Sequence, residues 1–218
     1  MRFIDECIAK SLPIWQKCLE SEFIQGMIDG SLSEECFRDY IIEDSLYLRE
    51  YARVFAWGMV KAKTMAEINN YYDMLSFVNE GEGSTRKYYL KRYGLTDEQI
   101  EDLPLRSENK AYIETMIKAA KEGGVAECLM ATLPCMLSYR WLFEKVANEY
   151  PQVRESVYEE FISDYESVEY SNVCDKWMNF AEQVCQKLSE EEKSKCLGIF
   201  KECSEHEVQF WGMSAVLR

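Results

Sequence analysis

The chain has 218 residues and a formal net charge of −14, from 39 acidic and 25 basic side chains, and 47% of its residues are hydrophobic. This length and apolar content can build a sizeable core and argue against disorder. Basic residues do not cluster strongly, so the acidic balance disfavours nucleic-acid binding, which needs positive charge against phosphate. No apolar stretch approaches the roughly 20 residues of a membrane-spanning helix, and the start is unlike a signal peptide. We therefore expect a cytoplasmic protein that binds neither nucleic acid nor membrane.

Nine cysteines and a single histidine, His206, limit the metal and disulfide chemistry that the sequence predicts. No two cysteines have Cys-x-x-Cys spacing, so we expect neither a zinc site nor an iron–sulfur cluster. An odd number of cysteines in a chain without a secretion signal does not indicate a disulfide framework. We expect most of these side chains to be buried as small hydrophobic residues.

The hydrophobic periodicity is helical along the chain, and no strand-like alternation competes with it. We find no internal repeat or linker, so the sequence predicts an all-α helical bundle that forms one domain, 1–218. The predicted helices are 3–18, 20–29, 33–60, 64–93 with Gly81 and Gly83 as candidate break points, 96–102, 107–122, 124–149, 151–168, 171–188 and 190–214.

Short polar residues and glycines mark several predicted helix boundaries. Serine and threonine side chains accept hydrogen bonds from the free N–H groups of a first turn, and glycine reaches the left-handed conformation common at helix ends. Helix starts are predicted at Ser33, Thr96 and Ser107, and helix ends at Gly30, Gly94 and Gly123-Gly124.

In the predicted helix 33–60, Asp44 interrupts the apolar stripe that should face the core. A buried carboxylate is costly unless another group pairs with it or the protein uses it. The structural interpretation is that hydroxyls such as those of Tyr40 or Tyr51 bind it. The functional interpretation is that Asp44 belongs to a site.

In the predicted helix 124–149, Cys135 lies in the stripe and directly follows Pro134. Proline removes a backbone hydrogen bond, so we expect a bend that could expose the thiol to a pocket. The alternative is a cysteine that only fills space in the core.

In the last predicted helix, Glu207 lies in the stripe, whereas Glu202 and Glu205 fall largely off it. The structural interpretation is that Glu207 lies at the edge of the stripe and reaches solvent. Together with Cys135 and Asp44, it could instead form a set of nucleophile and acid/base groups inside one bundle.

Four sequence blocks in these same segments resemble the TenA family of aminopyrimidine aminohydrolases, also called thiaminase II. The resemblance covers most of the chain and is weakest over 150–200. It implies a haem-oxygenase-like helical bundle and the branch of the family that carries a cysteine. The blocks are F-I-Q-G-M-I-D-G-S-L at 23–32, D-S-L-Y-L at 44–48, L-P-C-M-L-S-Y at 133–139 and E-V-Q-F-W-G-M at 207–213.

The resemblance also implies roles for individual residues. It makes Cys135 the nucleophile that adds to a pyrimidine ring, Asp44 the group that holds the ring's amidine edge, and Glu207 the proton shuttle. Aromatic residues would support the site or stack on the ring. These are Tyr112 and Tyr165 as supports, and Tyr47, Tyr139 and Phe210 as walls.

The activity implied is hydrolysis of 4-amino-5-aminomethyl-2-methylpyrimidine to the hydroxymethylpyrimidine, with thiamin cleavage as a lesser activity. The resemblance implies no metal or organic cofactor, and it implies a homotetramer. Two positions depart from the family pattern, since Phe161 stands where a tryptophan is usual and Arg86 where a histidine is common. The alternatives are a hydrolase for a related amine, a pyrimidine-binding protein without turnover, and a regulator.

Overall fold

A computed structural model describes residues 1–80 and 82–218, and all regular structure within these ranges is helical. The all-α prediction is confirmed. None of these helices is long and apolar enough to cross a membrane. The elements are α1 (Phe3–Leu19), α2 (Glu22–Asp29), α3 (Glu34–Lys61), α4 (Met65–Glu80), α5 (Glu82–Tyr93), α6 (Asp97–Glu101), α7 (Ser107–Glu122), α8 (Val125–Glu149), a 3-10 turn (Pro151–Glu155), α9 (Glu159–Glu166), α10 (Val168–Cys185) and α11 (Glu190–Ser214).

Helix α8 is the centre of the bundle. Every residue from Cys128 to Tyr139 is buried, so this helix is covered on all sides, as expected for a core helix. It packs against α1, α3, α7, α9, α10 and α11. Because α8 carries Cys135, the helices around it determine which side chains can reach the thiol.

Buried side chains tie distant segments together through hydrogen bonds. The indole of Trp15 in α1 donates to Ser204 in α11 at 3.1 Å. The carboxylate of Glu182 in α10 accepts from the backbone N–H of Ile4 at 3.0 Å, where the free amides of α1 favour a negative charge. These contacts fix α1 and α10 against α11, one of the helices that line the site.

Most predicted boundaries agree with the structure. Ser33 and Thr96 cap α3 and α6 as predicted, and Gly30 and Gly94 have φ angles of 80° and 65°. Ser107 does not cap a helix; it is the first residue of α7, and its hydroxyl donates to the adjacent Glu108. Gly123 and Gly124 separate α7 from α8 in extended conformations rather than the left-handed one. Gly81 lies outside the described residues, and α5 continues through Gly83.

The predicted helix 151–168 is wrong as one element. The chain forms a 3-10 turn and then α9, and it is extended at Ser156 between them. The Ser156 hydroxyl donates to the carbonyl of Val153 and accepts from the N–H of Tyr158, so it replaces helical backbone bonds. Ser167 caps α10, which therefore begins at Val168 rather than at the predicted position 171.

The nine cysteines are free thiols, and all except Cys36 are buried. The expectation that most of them act as small buried residues is confirmed. Burial raises the pKa of the thiols of Cys7 and Cys128 to about 12, which leaves them protonated at neutral pH.

Substituting Gly58 by alanine should destabilise the protein, because an added Cβ would lie 2.3 Å from the ring of Tyr71. That ring cannot move freely, since its hydroxyl donates to Val125 O at 2.6 Å. We expect Gly58→Ala to lower the free energy of unfolding by about 1–3 kcal/mol in urea denaturation. The matched control is Gly198→Ala in α11, where nothing lies near the added Cβ. It should raise stability by about 0.5–1 kcal/mol, and equal effects of the two changes would contradict the packing.

Candidate active site

Five helices bring the candidate residues to one place in the core. Helical spacing puts residues three or four positions apart on one face, which accounts for three pairs of neighbours. The residues that the resemblance assigns to a site lie on these helices, and the contacts described below connect them. They are Asp44 and Tyr47 on α3, Tyr112 on α7, Cys135 and Tyr139 on α8, Tyr165 on α9, and Glu207 and Phe210 on α11.

Glu207 is at the centre of the site. It is 2% exposed, so the interpretation that it reaches solvent is wrong. The hydroxyl of Tyr112 donates to its Oε1 at 2.6 Å. Burial raises the pKa of Glu207 to about 8, while the hydrogen bond from Tyr112 acts in the opposite direction. This carboxyl group can therefore both give and take a proton near neutral pH.

The thiol of Cys135 donates a second hydrogen bond to Glu207, which also lowers the pKa of that carboxyl. Cys135 is 5% exposed, and α8 runs without a break through Pro134 before it. A thiol in contact with a carboxyl group that accepts protons near neutral pH has the arrangement of a nucleophile and its base.

Asp44 combines burial with accessible surface. Its side chain is only half-buried, yet burial raises the pKa of its carboxyl to about 7, against the opposing charge of Arg86. The hydroxyl of Tyr40 lies 3.0 Å from that of Tyr139, and Tyr51 donates to Thr132 O, so both hydroxyls that the structural interpretation assigned to Asp44 also bind other partners. A desolvated carboxylate with free surface is suited to bind a ligand.

Aromatic rings pack around these polar groups. The ring centroid of Tyr47 lies 4.9 Å from Tyr112 and 5.9 Å from Phe210. On another side, the rings of Tyr139 and Tyr165 are 5.0 Å apart. Such faces stack on flat heterocycles. These rings therefore place aromatic faces close to the carboxyl groups of Asp44 and Glu207.

Three further residues contact the site, and the sequence did not predict their roles. The ring of His206 stacks on Tyr112 at 5.2 Å and 14°, and its Nε2 lies 3.0 Å from Thr115 Oγ1. Tyr40 contacts Tyr139, and Arg86 acts on Asp44. For His206, the only sequence signal was that it is the single histidine of the chain. The contacts of Tyr40 and Arg86 join distant segments, which leave no local pattern in the sequence.

A separate cavity of about 440 Å³ lies between α3, α5 and α6, and Ser45, Arg49, Arg86 and Asp97 are among its lining residues. Neither Cys135 nor Glu207 lines it. In the part of the chain that the structure describes, no group of three or more histidine, cysteine or acidic residues could hold a metal ion.

Comparison with known proteins identifies the family. The model of the TENA/THI-4/PQQC family matches residues 8–216. The chain belongs to this family. The TenA resemblance of the sequence is thereby confirmed. An aminopyrimidine aminohydrolase of Halalkalibacterium halodurans is 30% identical over 219 residues, which cover 98% of this chain and 96% of that protein.

Solved structures of the TenA family share the fold. A TenA homologue from Pyrococcus horikoshii superposes with a TM-score of 0.85 at 25% identity, covering 98% of both chains. A heme oxygenase-like domain from Shewanella denitrificans has a TM-score of 0.69 at 13% identity, covering 97% of this chain and 91% of that one. The fold is therefore the haem-oxygenase-like bundle that the TenA resemblance implied.

The buried carboxyl of Glu207 should make stability depend on pH. Its pKa of about 8 in the folded protein lies above the ordinary value of 4.5 for a glutamate. Because the pKa is raised in the folded protein, the protonated carboxyl group contributes fully to the free energy of unfolding below about pH 4.5. This contribution is lost as the pH rises through about 8. Glu207→Gln should remove this loss, so the variant should gain stability relative to wild type by up to about 1.4 kcal/mol per pH unit over that range.

Urea denaturation at pH 5, 6, 7 and 8 measures this difference. Glu205→Gln is the matched control, because Glu205 is exposed on the same helix and should leave the wild-type dependence unchanged. Parallel curves for Glu207→Gln and wild type would show that the carboxyl is not held protonated by burial.

Proposed function

We propose that the protein hydrolyses 4-amino-5-aminomethyl-2-methylpyrimidine to the hydroxymethylpyrimidine and ammonia, a thiamin-salvage reaction, with thiamin cleavage as a lesser activity. The observation that carries this proposal is the buried pair of Cys135 and Glu207 beside a carboxylate, Asp44, that retains accessible surface. The name of the Halalkalibacterium halodurans relative, aminopyrimidine aminohydrolase, supports the same activity.

Binding would begin at Asp44. A 4-aminopyrimidine presents a ring nitrogen and an adjacent N–H group, and a carboxyl group can bind both at once. Tyr47, Tyr139 and Phe210 would cover the faces of the ring, and their burial excludes water from it. Tyr112 and Tyr165 would support the polar groups from behind.

Cys135 would then supply the nucleophile. Its proton passes to Glu207, and the thiolate forms a bond to the ring carbon next to the one that bears the aminomethyl group. Electron density moves into the ring, which the pairing at Asp44 stabilises. The C–N bond breaks, and Glu207 returns the proton to the amine that leaves as ammonia.

Water would complete the reaction through the same carboxyl group. Glu207, now ionised, takes a proton from water while the oxygen bonds to the exocyclic carbon. The bond between sulfur and the ring then breaks, which restores the aromatic ring, and Glu207 gives the proton that it took from water to the departing thiolate, which restores the thiol. One carboxyl group with a pKa near neutral suits both directions of proton transfer.

Replacing Cys135 by serine tests this activity. We expect ammonia release from the aminomethylpyrimidine to fall at least about 1000-fold, because a serine hydroxyl is a far weaker nucleophile than a thiolate. Binding of the pyrimidine, measured by calorimetry, should remain within a few-fold of wild type.

The matched control is Cys128→Ser, which makes the same change on the same helix at a thiol that does not contact Glu207. We expect it to retain activity. Equal ammonia release by Cys135→Ser and wild type would exclude Cys135 as the nucleophile. Binding without any release by wild type would favour a pyrimidine-binding protein.

We further propose one domain over 1–218 and a cytoplasmic location, as the sequence predicts, and a homotetramer, as the resemblance implies. One continuous hydrophobic core supports the single domain. Large hydrophobic residues are exposed near the α3–α4 connection, among them Val60 and Met65, and association would cover such surface. Light scattering should give four times the mass of one chain, whereas a monomer at micromolar concentration would contradict the tetramer.

A further inference from the structure

Arg86 joins three helices beside the candidate site. Its Nη1 and Nη2 atoms both lie 2.8 Å from Oδ1 of Asp97, the first residue of α6. Nη1 also lies 3.3 Å from the hydroxyl oxygen of Ser45 in α3. The side chain is 18% exposed, so its charge is only partly screened by water.

Ser45 fixes this guanidinium relative to Asp44. Its hydroxyl donates to the carbonyl of Ile41 at 2.7 Å, which leaves its oxygen to accept from Arg86. Ser45 directly follows Asp44 in α3. The positive charge therefore has a defined position next to the backbone that carries the ligand-facing carboxylate.

Asp97 pairs with Arg86 and offsets part of this charge, although 59% of the Asp97 side chain is exposed to the screening of water. Two other ionisable groups interact with Asp44, Glu207 from α11 and Tyr139 from α8. Burial raises the pKa of both, so both are predominantly neutral at pH 7. Glu43, which precedes Asp44, is paired with Arg218 at 2.9 Å and with the amide of Asn109 at 2.8 Å.

The pairing of a carboxyl group with a 4-aminopyrimidine involves one shared proton. If the proton is on the carboxyl oxygen, the pair consists of a carboxylic acid and a neutral ring. If the proton is on the ring nitrogen, the pair consists of a carboxylate and a cationic ring. Both arrangements contain the same atoms. A fixed positive charge near the carboxyl group favours the second, because it stabilises the carboxylate.

Resting on the proposed function, we propose that Arg86 is a positioning residue whose charge places this shared proton on the ring nitrogen of the substrate. A protonated ring is poorer in electrons and accepts the Cys135 thiolate more readily.

The first measurement is the titration of Asp44 in the protein without ligand. Carbon-13 NMR of labelled aspartate carboxyl groups follows it, and Asp44→Asn identifies the signal. Burial raises the pKa of Asp44 to about 7 in the wild type. We expect Arg86→Gln to move the midpoint up by about half a unit to one unit, and Arg86→Lys to restore most of it. Lys87→Gln, the control, removes an exposed charge from the same helix and should leave the midpoint unchanged.

The second measurement locates the proton in the complex. Nitrogen-15-labelled 4-amino-5-aminomethyl-2-methylpyrimidine is bound to Cys135→Ser protein, with and without Arg86→Gln. We expect a protonated ring nitrogen with Arg86 present and a shift toward the neutral ring in Arg86→Gln. With Cys135 intact, Arg86→Gln should lower kcat more than it raises KM, with rescue by Arg86→Lys.

An Asp44 midpoint unchanged by Arg86→Gln, or a ring nitrogen with the same protonation in both complexes, would overturn the role of Arg86 alone. If the wild-type protein neither binds the pyrimidine nor releases ammonia, both the proposed function and the role of Arg86 are contradicted. The Asp44 titration, which needs no ligand, tells these two failures apart.

Discussion

The site depends on the burial of two carboxyl groups, Asp44 and Glu207, in a core made largely of aromatic rings. Water would stabilise the charged form of either group, and the core does not. Hydrogen bonds from Tyr112 and Cys135 to Glu207, and the charge of Arg86 near Asp44, favour the charged forms. These interactions do not restore an ordinary pKa to either carboxyl group. Both groups are left able to exchange protons near neutral pH, which the proposed chemistry requires.

The helices hold this arrangement at a cost in stability. A carboxyl group kept protonated by burial weakens folding as the pH rises, so the site is a region of stored instability. The core around α8 compensates. Tyr51 donates to Thr132 O and Tyr170 to Met136 O, on either side of Cys135, so the helix that carries the thiol is held from α3 and α10. The helix that carries Cys135 is therefore held in place, and its thiol stays in contact with Glu207 on α11.

Much of the fold could be predicted from the sequence, because helical periodicity, caps and glycines are local signals. Helix α11 and the capping box at Thr96 agree with the structure. The prediction of one helix over 151–168 is wrong because the Ser156 side chain competes for backbone hydrogen bonds, and composition alone does not reveal such competition. The apolar stripes located Asp44 and Glu207 as polar residues in core positions. Helical periodicity could not predict their partners, since Tyr112 is 95 residues from Glu207 and no local pattern links the two; only the resemblance named Tyr112.

A crystal structure of Cys135→Ser protein with 4-amino-5-aminomethyl-2-methylpyrimidine bound tests the central claim most directly. We expect the ring to lie among Tyr47, Tyr139 and Phe210, with its amidine edge on Asp44 and a ring carbon facing the hydroxyl that replaces the thiol. A ring in the cavity between α3, α5 and α6, or one whose amidine edge faces away from Asp44, would contradict the proposed site.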